Sequence, residues 1–359
     1  MKKKTRVIVL CGGRSAEHEI SLLSARNVLQ ALDRDRFEPV VVGIDKLGHW
    51  RRESTRTLEA ATGDPRSVAL DAQAPSVAIE EALTAEDVVF PVLHGTYGED
   101  GTVQGMLELA DVAYVGAGVL GSAVGMDKDV AKRLLRDAGI PIVDFHVVTA
   151  AAFRADAAAA LAPAHALGFP MFAKPANAGS SVGVSRVREP AALEAAVRAA
   201  LAFDRKVLLE RGIDAREIEC AVLGNDDPKA SLPGEIIVSH ASGFYSYDAK
   251  YVDPNASTWK IPADIPATLV KRVQELAVAT FRALELAGMA RVDFFLDRGT
   301  GALYVNEVNT LPGFTAVSMY PKMWEASGLA PTALVTRLIE LAIERRDARR
   351  ALATNVTHP

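Results

Sequence analysis

Four polar residues at alternate positions in two apolar runs carry the strongest chemical signal in the chain. Arg291 and Asp293 lie in Ala290-Arg291-Val292-Asp293-Phe294-Phe295-Leu296, and Glu307 and Asn309 in Leu303-Tyr304-Val305-Asn306-Glu307-Val308-Asn309. In a strand, residues two apart share a face, so each pair points one way. The break Asp297-Arg298-Gly299-Thr300-Gly301 has the turn chemistry of a hairpin. If the strands are neighbours, one face presents two carboxylates, an amide oxygen and a guanidinium. Hard oxygen donors of this kind suit Mg²⁺, which takes one or two carboxylates and completes its shell with substrate phosphates. The guanidinium suits an anionic transition state. Any one of these acids is compatible with an ordinary strand surface; their combination, running into Pro312-Gly313, points to a site.

The elements that must position this face begin at the other end of the chain. Residues 6–11 form an apolar strand, Gly12-Gly13-Arg14-Ser15 a turn, and a helix then runs to Leu32 before a second strand at 39–44. Such alternation predicts a parallel α/β sheet. The turn lacks the full G-x-G-x-x-G spacing, so a dinucleotide site is weakly supported. Glu17 falls at the helix N-terminus, where a carboxylate is favourable electrostatically and is equally able to hold a substrate ammonium. A buried strand at 87–93 leads into His94-Gly95-Thr96-Tyr97-Gly98-Glu99-Asp100-Gly101, a loop at the carboxyl end of a parallel strand, where α/β proteins bind ligands. His94 reads either as a structural histidine or as part of that site. Residues 45–75 are polar and poorly periodic and read as a peripheral insertion.

Past residue 125 the pattern changes. Asp127-Lys128 opens a helix to Gly139, a strand is expected from Ile140, and the alanine-rich run 150–167 reads as one surface helix. Lys174 ends a strand and is followed by Ala176-Asn177-Ala178-Gly179-Ser180-Ser181-Val182-Gly183, a loop whose exposed N–H groups can wrap phosphates as a flap. It is not a P-loop, because neither G-x-x-x-x-G-K nor a following helix is present. A bare hairpin loop is the alternative. Glu210 and Glu217 bracket a bend between two strands; carboxylates there suit an amine or ribose hydroxyls, or are edge-strand charges. Residues 239–262 form a polar, aromatic loop with Lys250 and Tyr251, suited to a lid that excludes water.

Composition sets the outer bounds. A chain of 359 residues with 49% hydrophobic content supports two or three packed domains. Lys+Arg 40 against Asp+Glu 45 gives a net charge of −5, which argues against a general nucleic-acid surface. The apolar run 7–11 is too short for a signal-peptide core or a membrane span, so no membrane partner and a cytoplasmic location are expected. Cys11 and Cys220 lack any metal or disulfide spacing and read as buried residues.

Taken together, HGTYGEDGTVQG, KPANAGSSVGV, YDAKY and NEVNTLPGFTAVSMYP resemble the ATP-grasp superfamily and, within it, the D-alanine–D-alanine ligases, over about residues 6–325. The resemblance implies an α/β protein, α+β in its ATP-binding half, with an N-terminal Rossmann-like parallel sheet domain and two domains clasping ATP. The expected domains are 1–125, 126–213 with the glycine/serine flap, and 214–359 with the lid loop. It implies ligation of two D-alanines through a D-alanyl phosphate for peptidoglycan precursor synthesis, with ATP and two Mg²⁺ ions (Mn²⁺ a substitute) and a homodimeric assembly. Lys128 and Lys174 would hold ATP phosphates, Lys250 would also help to hold ATP, Glu210 and the Ile213 backbone would take the adenine, and Glu217 the ribose. Asp293, Glu307 and Asn309 would ligate the metals. Arg291 and the Gly313 N–H would stabilise the tetrahedral oxyanion, Glu17 with His94 would take the first ammonium, and Ser318 the second carboxylate. Ser180 and Tyr251 would bond Glu17 and close the site. Asn306 and Val308 depart from the commoner Leu and Ala, which touches the expected wall of the adenine pocket.

Two other readings compete. A D-alanine–D-lactate ligase shares the ATP site but usually lacks the lid tyrosine, so Tyr251 favours the dipeptide. A non-catalytic nucleotide-binding α/β protein is disfavoured by the intact set of acids, lysines and arginine, and an NAD-dependent oxidoreductase by the incomplete glycine fingerprint.

Overall fold

The computed structural model describes residues 3–62, 64–238 and 257–353. Its first sheet runs in the order β3-β2-β1-β4-β5, with β1 Thr5–Gly12, β2 Phe37–Ile44, β3 Trp50–Glu53, β4 Val88–Pro91 and β5 Ala113–Tyr114. Strand β1 pairs in parallel with both β2 and β4. Residues 7–11 are fully buried because both faces are covered, as the unbroken apolar run requires. Val7, Val9 and Cys11 pack on Leu22 and Leu29 of helix His18–Ala31, while Ile8 and Leu10 pack with Val103 and Leu107 of helix Thr102–Leu109. The strand order reverses at β1, so the loops after β1 and β4 flank one crevice, carrying Glu17 and His94 to the same side. Residues 45–75 are not wholly peripheral: β3 joins the sheet antiparallel to β2. Its sequence Trp50-Arg51-Arg52-Glu53 is short and charged, as edge strands are, and so lacks the apolar alternation that would reveal it.

A second sheet, wholly antiparallel, has the order β6-β9-β7-β8, with β6 Phe145–Thr149, β7 Met171–Pro175, β8 Ser185–Val187 and β9 Lys206–Arg211. The alanine-rich run is broken rather than one helix: helices Ala150–Ala155 and Ala157–Leu161 are followed by a 3-10 segment, Ala162–Leu167. Asp156 adopts an extended backbone and caps the second helix by accepting Ala159 N–H at 3.0 Å, the competition that Asp offers a continuing helix. The strand expected from Ile140 starts at Phe145 instead. Pro141 O accepts Val305 N–H at 2.8 Å, so this segment spends its hydrogen bonds on the third sheet.

The third sheet has the order β13-β12-β10-β14-β15, with β10 Ala215–Gly224, β12 Gly234–Val238, β13 Ser257–Lys260, β14 Gly288–Asp297 and β15 Leu303–Asn309; the short β11 Lys229–Ala230 pairs with β10. The expected hairpin joins β14 to β15, its turn closed by Asp297 Oδ1 accepting the Gly299 and Thr300 N–H groups at 2.8 Å. One face is apolar: Ile218, Cys220, Val292, Phe294 and Val308 pack on Val273, Leu276 and Phe281 of helix Ala267–Ala283. Helices Met319–Ala326 and Pro331–Arg350 return to the first sheet, where Tyr320, Leu334 and Leu338 share a core with Val9 and Phe90. Arg345 lies over the Tyr114 ring at 4.3 Å and donates to the carbonyls of Tyr114 and Gly116, pinning that return. Among the described residues no single helix is long and apolar enough to cross a membrane.

Candidate active site

The second face of the third sheet carries the acids. Asp293 on β14 stands opposite Glu307 on β15 and Glu219 on β10, and Arg291 opposite Asn309. Directly opposed residues share a face, so Arg291, Asp293, Glu307 and Asn309 converge with a third carboxylate that the sequence reading did not single out. Glu219 was signalled by its spacing from Glu217, but only the pairing with β14 gives it a role. Arg291 donates to both Asp293 oxygens at 2.7 Å and lies 3.1 Å from Glu219 Oε2. Asn309 Oδ1 accepts the Leu311 N–H at 3.0 Å. A bulge between Asp293 and Phe294 leaves Asn306 unpaired in the ladder, and its Oδ1 lies 3.4 Å from Lys174 Nζ. The departure at Asn306 thus adds a polar contact to the lysine rather than an apolar wall.

The lysines approach from the neighbouring elements. Helix Lys128–Asp137 is capped by Asp127, whose Oδ1 accepts the Asp129 and Val130 N–H groups at 3.0 Å. Lys128 Nζ donates to Ala178 O at 2.9 Å in the flap and lies 3.5 Å from Glu307 Oε2. Lys174, on β7, is 2.5 Å from Glu210 Oε1, and Lys132 is 2.6 Å from Glu210 Oε2. Burial alone would raise the Glu210 pKa, but Lys132 and Lys174 more than offset it and hold the carboxyl below its ordinary value. Lys132 was overlooked; its spacing of four from Lys128 was the available signal. Glu217, on β10, lies opposite Phe295 and is half-buried, and Ile213 sits in the short link between β9 and β10.

Across the cleft, Ser180 Oγ donates to Glu17 Oε1 at 2.5 Å. Gly179 and Gly95 both border Glu17: a Cβ on either would lie in ordinary contact with Glu17 Oε2, at 3.4 and 3.6 Å, and Gly95 is favoured by its left-handed φ of +74°. His94 is buried, with Nδ1 3.8 Å from Glu99 Oε1 and Nε2 3.3 Å from Ser24 Oγ. Burial opposes its charge, but Glu99 and Glu17 prevail and raise its pKa. Burial, foremost, also raises the Glu99 pKa. A Cβ on Gly313 would lie 2.9 Å from Ser318 Oγ, which accepts the Thr315 N–H at 2.9 Å.

One cleft is therefore lined by Glu17, His94, Lys128, Ser180, Arg291, Glu307, Asn309, Gly313 and Ser318. Asp293 reaches it through Arg291, whereas Lys174 and Glu210 lie to one side. Lys250, Tyr251 and most of the expected lid, 239–256, fall outside the described residues, and its last part is not a loop, because Ser257–Lys260 is β13, paired with β12. The cleft can pair an ammonium with Glu17, a carboxylate with the Ser318 hydroxyl, and a developing oxyanion with Arg291. Asp293, Glu307 and Asn309 supply hard oxygens only. Among the described residues no group of three or more His, Cys, Asp or Glu side chains is arranged to hold a metal ion by itself, so an ion placed here would need oxygens from phosphate and water.

Two family descriptions match, "D-ala D-ala ligase N-terminus" over residues 6–117 and "D-ala D-ala ligase C-terminus" over 134–340. The D-alanine–D-alanine ligase A of Bradyrhizobium diazoefficiens is 51% identical, with 98% of each chain covered. That of Escherichia coli K12 is 48% identical over 99% of this chain and 100% of its own. Among solved structures, the D-alanine-D-alanine ligase from Coxiella burnetii superposes with a TM-score of 0.81 at 38% identity, covering 97% of this chain and 96% of the other. The VanG D-Ala:D-Ser ligase from Enterococcus faecalis gives 0.78 at 34%, covering 95% and 100%. With the parallel sheet, the two antiparallel sheets and the acid face all accounted for, the chain belongs to the D-alanine–D-alanine ligase family of ATP-grasp enzymes.

Proposed function

We propose that the chain joins two molecules of D-alanine into D-alanyl-D-alanine at the expense of ATP, releasing ADP and phosphate, as a step toward the peptidoglycan precursor. The observation that carries this reading is the meeting, in one cleft, of the Glu17–Ser180 pair with the Arg291, Glu307 and Asn309 face. A carboxylate is a poor acyl donor, so its oxygen first attacks the γ-phosphorus of ATP; the amine of the second D-alanine then displaces phosphate from the acyl phosphate through a tetrahedral intermediate. Glu17, supported by His94, holds the first ammonium and aims its carboxylate at the phosphoryl group. Lys128 and Lys174 exchange their present partners for phosphate oxygens, with Lys250 a third cation. Glu210 and the Ile213 backbone take the adenine and Glu217 the ribose. Arg291 and the Gly313 N–H receive the oxyanion, and Ser318 the second carboxylate. Ser180 and Tyr251 close the site over the intermediate and exclude water. Asp293, Glu307 and Asn309 would hold two Mg²⁺, or Mn²⁺, which when bound neutralise phosphoryl charge.

The proposed working units are 1–125, 126–213 and 214–359. Use of ATP favours a cytoplasmic setting. The proposed assembly is a homodimer, for which the exposed Leu109 and Leu120 on neighbouring helices offer apolar surface; a one-chain mass in sedimentation at micromolar concentration would contradict it. Phosphate release from ATP across D- and L-amino acids and D-lactate tests the reaction. It should be greatest with D-alanine and yield the dipeptide; release no higher than background, or a dominant ester product at neutral pH, would overturn the assignment.

A further inference from the structure

Lys132 is an ammonium with no access to the cleft, yet it is built into the charge balance of the nucleotide side. Helix Lys128–Asp137 places Lys128 and Lys132 on one face, four residues apart. Lys128 turns to the flap and Glu307, whereas the Lys132 side chain is only 3% exposed and ends 2.6 Å from Glu210 Oε2. The other Glu210 oxygen holds Lys174 at 2.5 Å, and Lys174 also reaches Asn306 on the cleft side. Two ammoniums therefore share one buried carboxylate, leaving an excess positive charge in a region with little solvent. The more exposed partner is Lys174, at 12% against 3%, so the excess is displayed there, where an anion can take it up. Burial works against the charge on Lys132, and the Glu210 carboxylate is the main group sustaining it.

We propose that Lys132 is a positioning residue for the nucleotide: it retains Glu210 as an ionised, fixed carboxylate by Oε2, so that Lys174 is released from Oε1 to a phosphate oxygen and Oε1 is opened to a donor on the base. Without Lys132, Lys174 is the only counter-ion among the described residues for a buried carboxylate, and nucleotide must compete with Glu210 for it. This rests on the ATP-dependent reading given above.

The test is calorimetric binding of Mg²⁺·ATP without D-alanine, with steady-state KM values alongside, for the unaltered chain, Lys132→Met, Lys132→Gln, Glu210→Gln and Lys132→Met/Glu210→Gln. Lys132→Met and Lys132→Gln should each lose about tenfold or more in ATP affinity and raise the KM for ATP, with the KM for D-alanine unchanged. Adding Lys132→Met to Glu210→Gln should cost no further affinity, because the carboxylate it serves is gone; the neutral double variant also serves if a single variant does not fold. Wild-type ATP affinity in the Lys132 variants, or equal losses for ATP and D-alanine that follow thermal stability, would overturn the proposal. If the unaltered chain itself binds no ATP, the functional reading falls and this proposal with it; the two failures are thus distinguishable.

Discussion

Ser180 and Glu17, 163 positions apart in sequence, are joined by a 2.5 Å hydrogen bond that ties the flap to the start of the first helix. The carboxylate expected to hold the substrate ammonium thus also holds the loop that covers it. Ser180 and Ser181 both have left-handed backbones, with φ of +48° and +58°, which turns the Ser180 hydroxyl back toward the cleft. In the proposed reaction, ligand capture and closure would meet on this one side chain.

Removing the hydroxyl tests that coupling. A hydrogen bond to a charged group contributes about 1.5–3 kcal/mol, so Ser180→Ala should lower kcat/KM for D-alanine by roughly ten- to a hundredfold. The same bond holds the half-buried flap in the unliganded chain, so a stability loss of no more than that size should accompany the kinetic one. Steady-state kinetics and thermal unfolding, compared side by side, check this. A stability loss with unaltered kcat/KM would make the bond structural only.

Arg291 is the group proposed to receive the oxyanion, and losing one such donor costs about 10²–10³ in kcat. Arg291→Ala should fall in that range while still binding ATP. Glu219→Gln, which leaves the guanidinium in place but loosens one of its carboxylate partners, should show the same effect in weaker form. Unchanged turnover in Arg291→Ala would show that the residue only organises the acids around it.

The buried His94 makes stability depend on pH with a definite sign. Its folded pKa lies above the ordinary value of 6.5, held there by Glu99 and Glu17 against burial. The native state therefore binds more protons than the unfolded chain. The stabilisation is complete below pH 6.5 and is lost as pH rises through the folded value. Glu99, raised from 4.5 chiefly by burial, acts in the same direction from a lower starting pH. Denaturant unfolding should show the stability gap between the unaltered chain and His94→Gln narrowing above pH 6.5; a constant gap would mean that His94 does not titrate differently on folding.

Glu307 faces both Lys128 and Asp293, so in the proposed reaction it would join the phosphate side to the metal side. Glu307→Gln should shift the Mg²⁺ titration of phosphate release to higher concentration, and should also weaken Mn²⁺ binding followed by electron paramagnetic resonance. Unaltered metal curves in both assays would remove Glu307 from the metal set.

The acid face was legible in the sequence because alternation along a strand is a local rule: Arg291 with Asp293, and Glu307 with Asn309, follow from spacing alone. The partners supplied by register were not. Glu219 becomes part of the face only because β10 lies beside β14 with Glu219 opposite Asp293. Lys132 looked like any helical lysine until the second sheet placed Glu210 against it. The bulge that turns Asn306 toward Lys174 has no sequence mark, and the break at Asp156 was hidden by alanines that favour a helix on either side. Short charged β3 escaped because edge strands lack the apolar pattern that announces central ones.

Isotope transfer is the most direct test of the central claim. With D-alanine labelled by ¹⁸O in its carboxylate, an acyl phosphate requires the attacking oxygen to leave with phosphorus when the amine displaces it. Phosphate released together with D-alanyl-D-alanine should carry one labelled oxygen per molecule. Dipeptide formed with unlabelled phosphate, or labelled phosphate without dipeptide, would contradict the account.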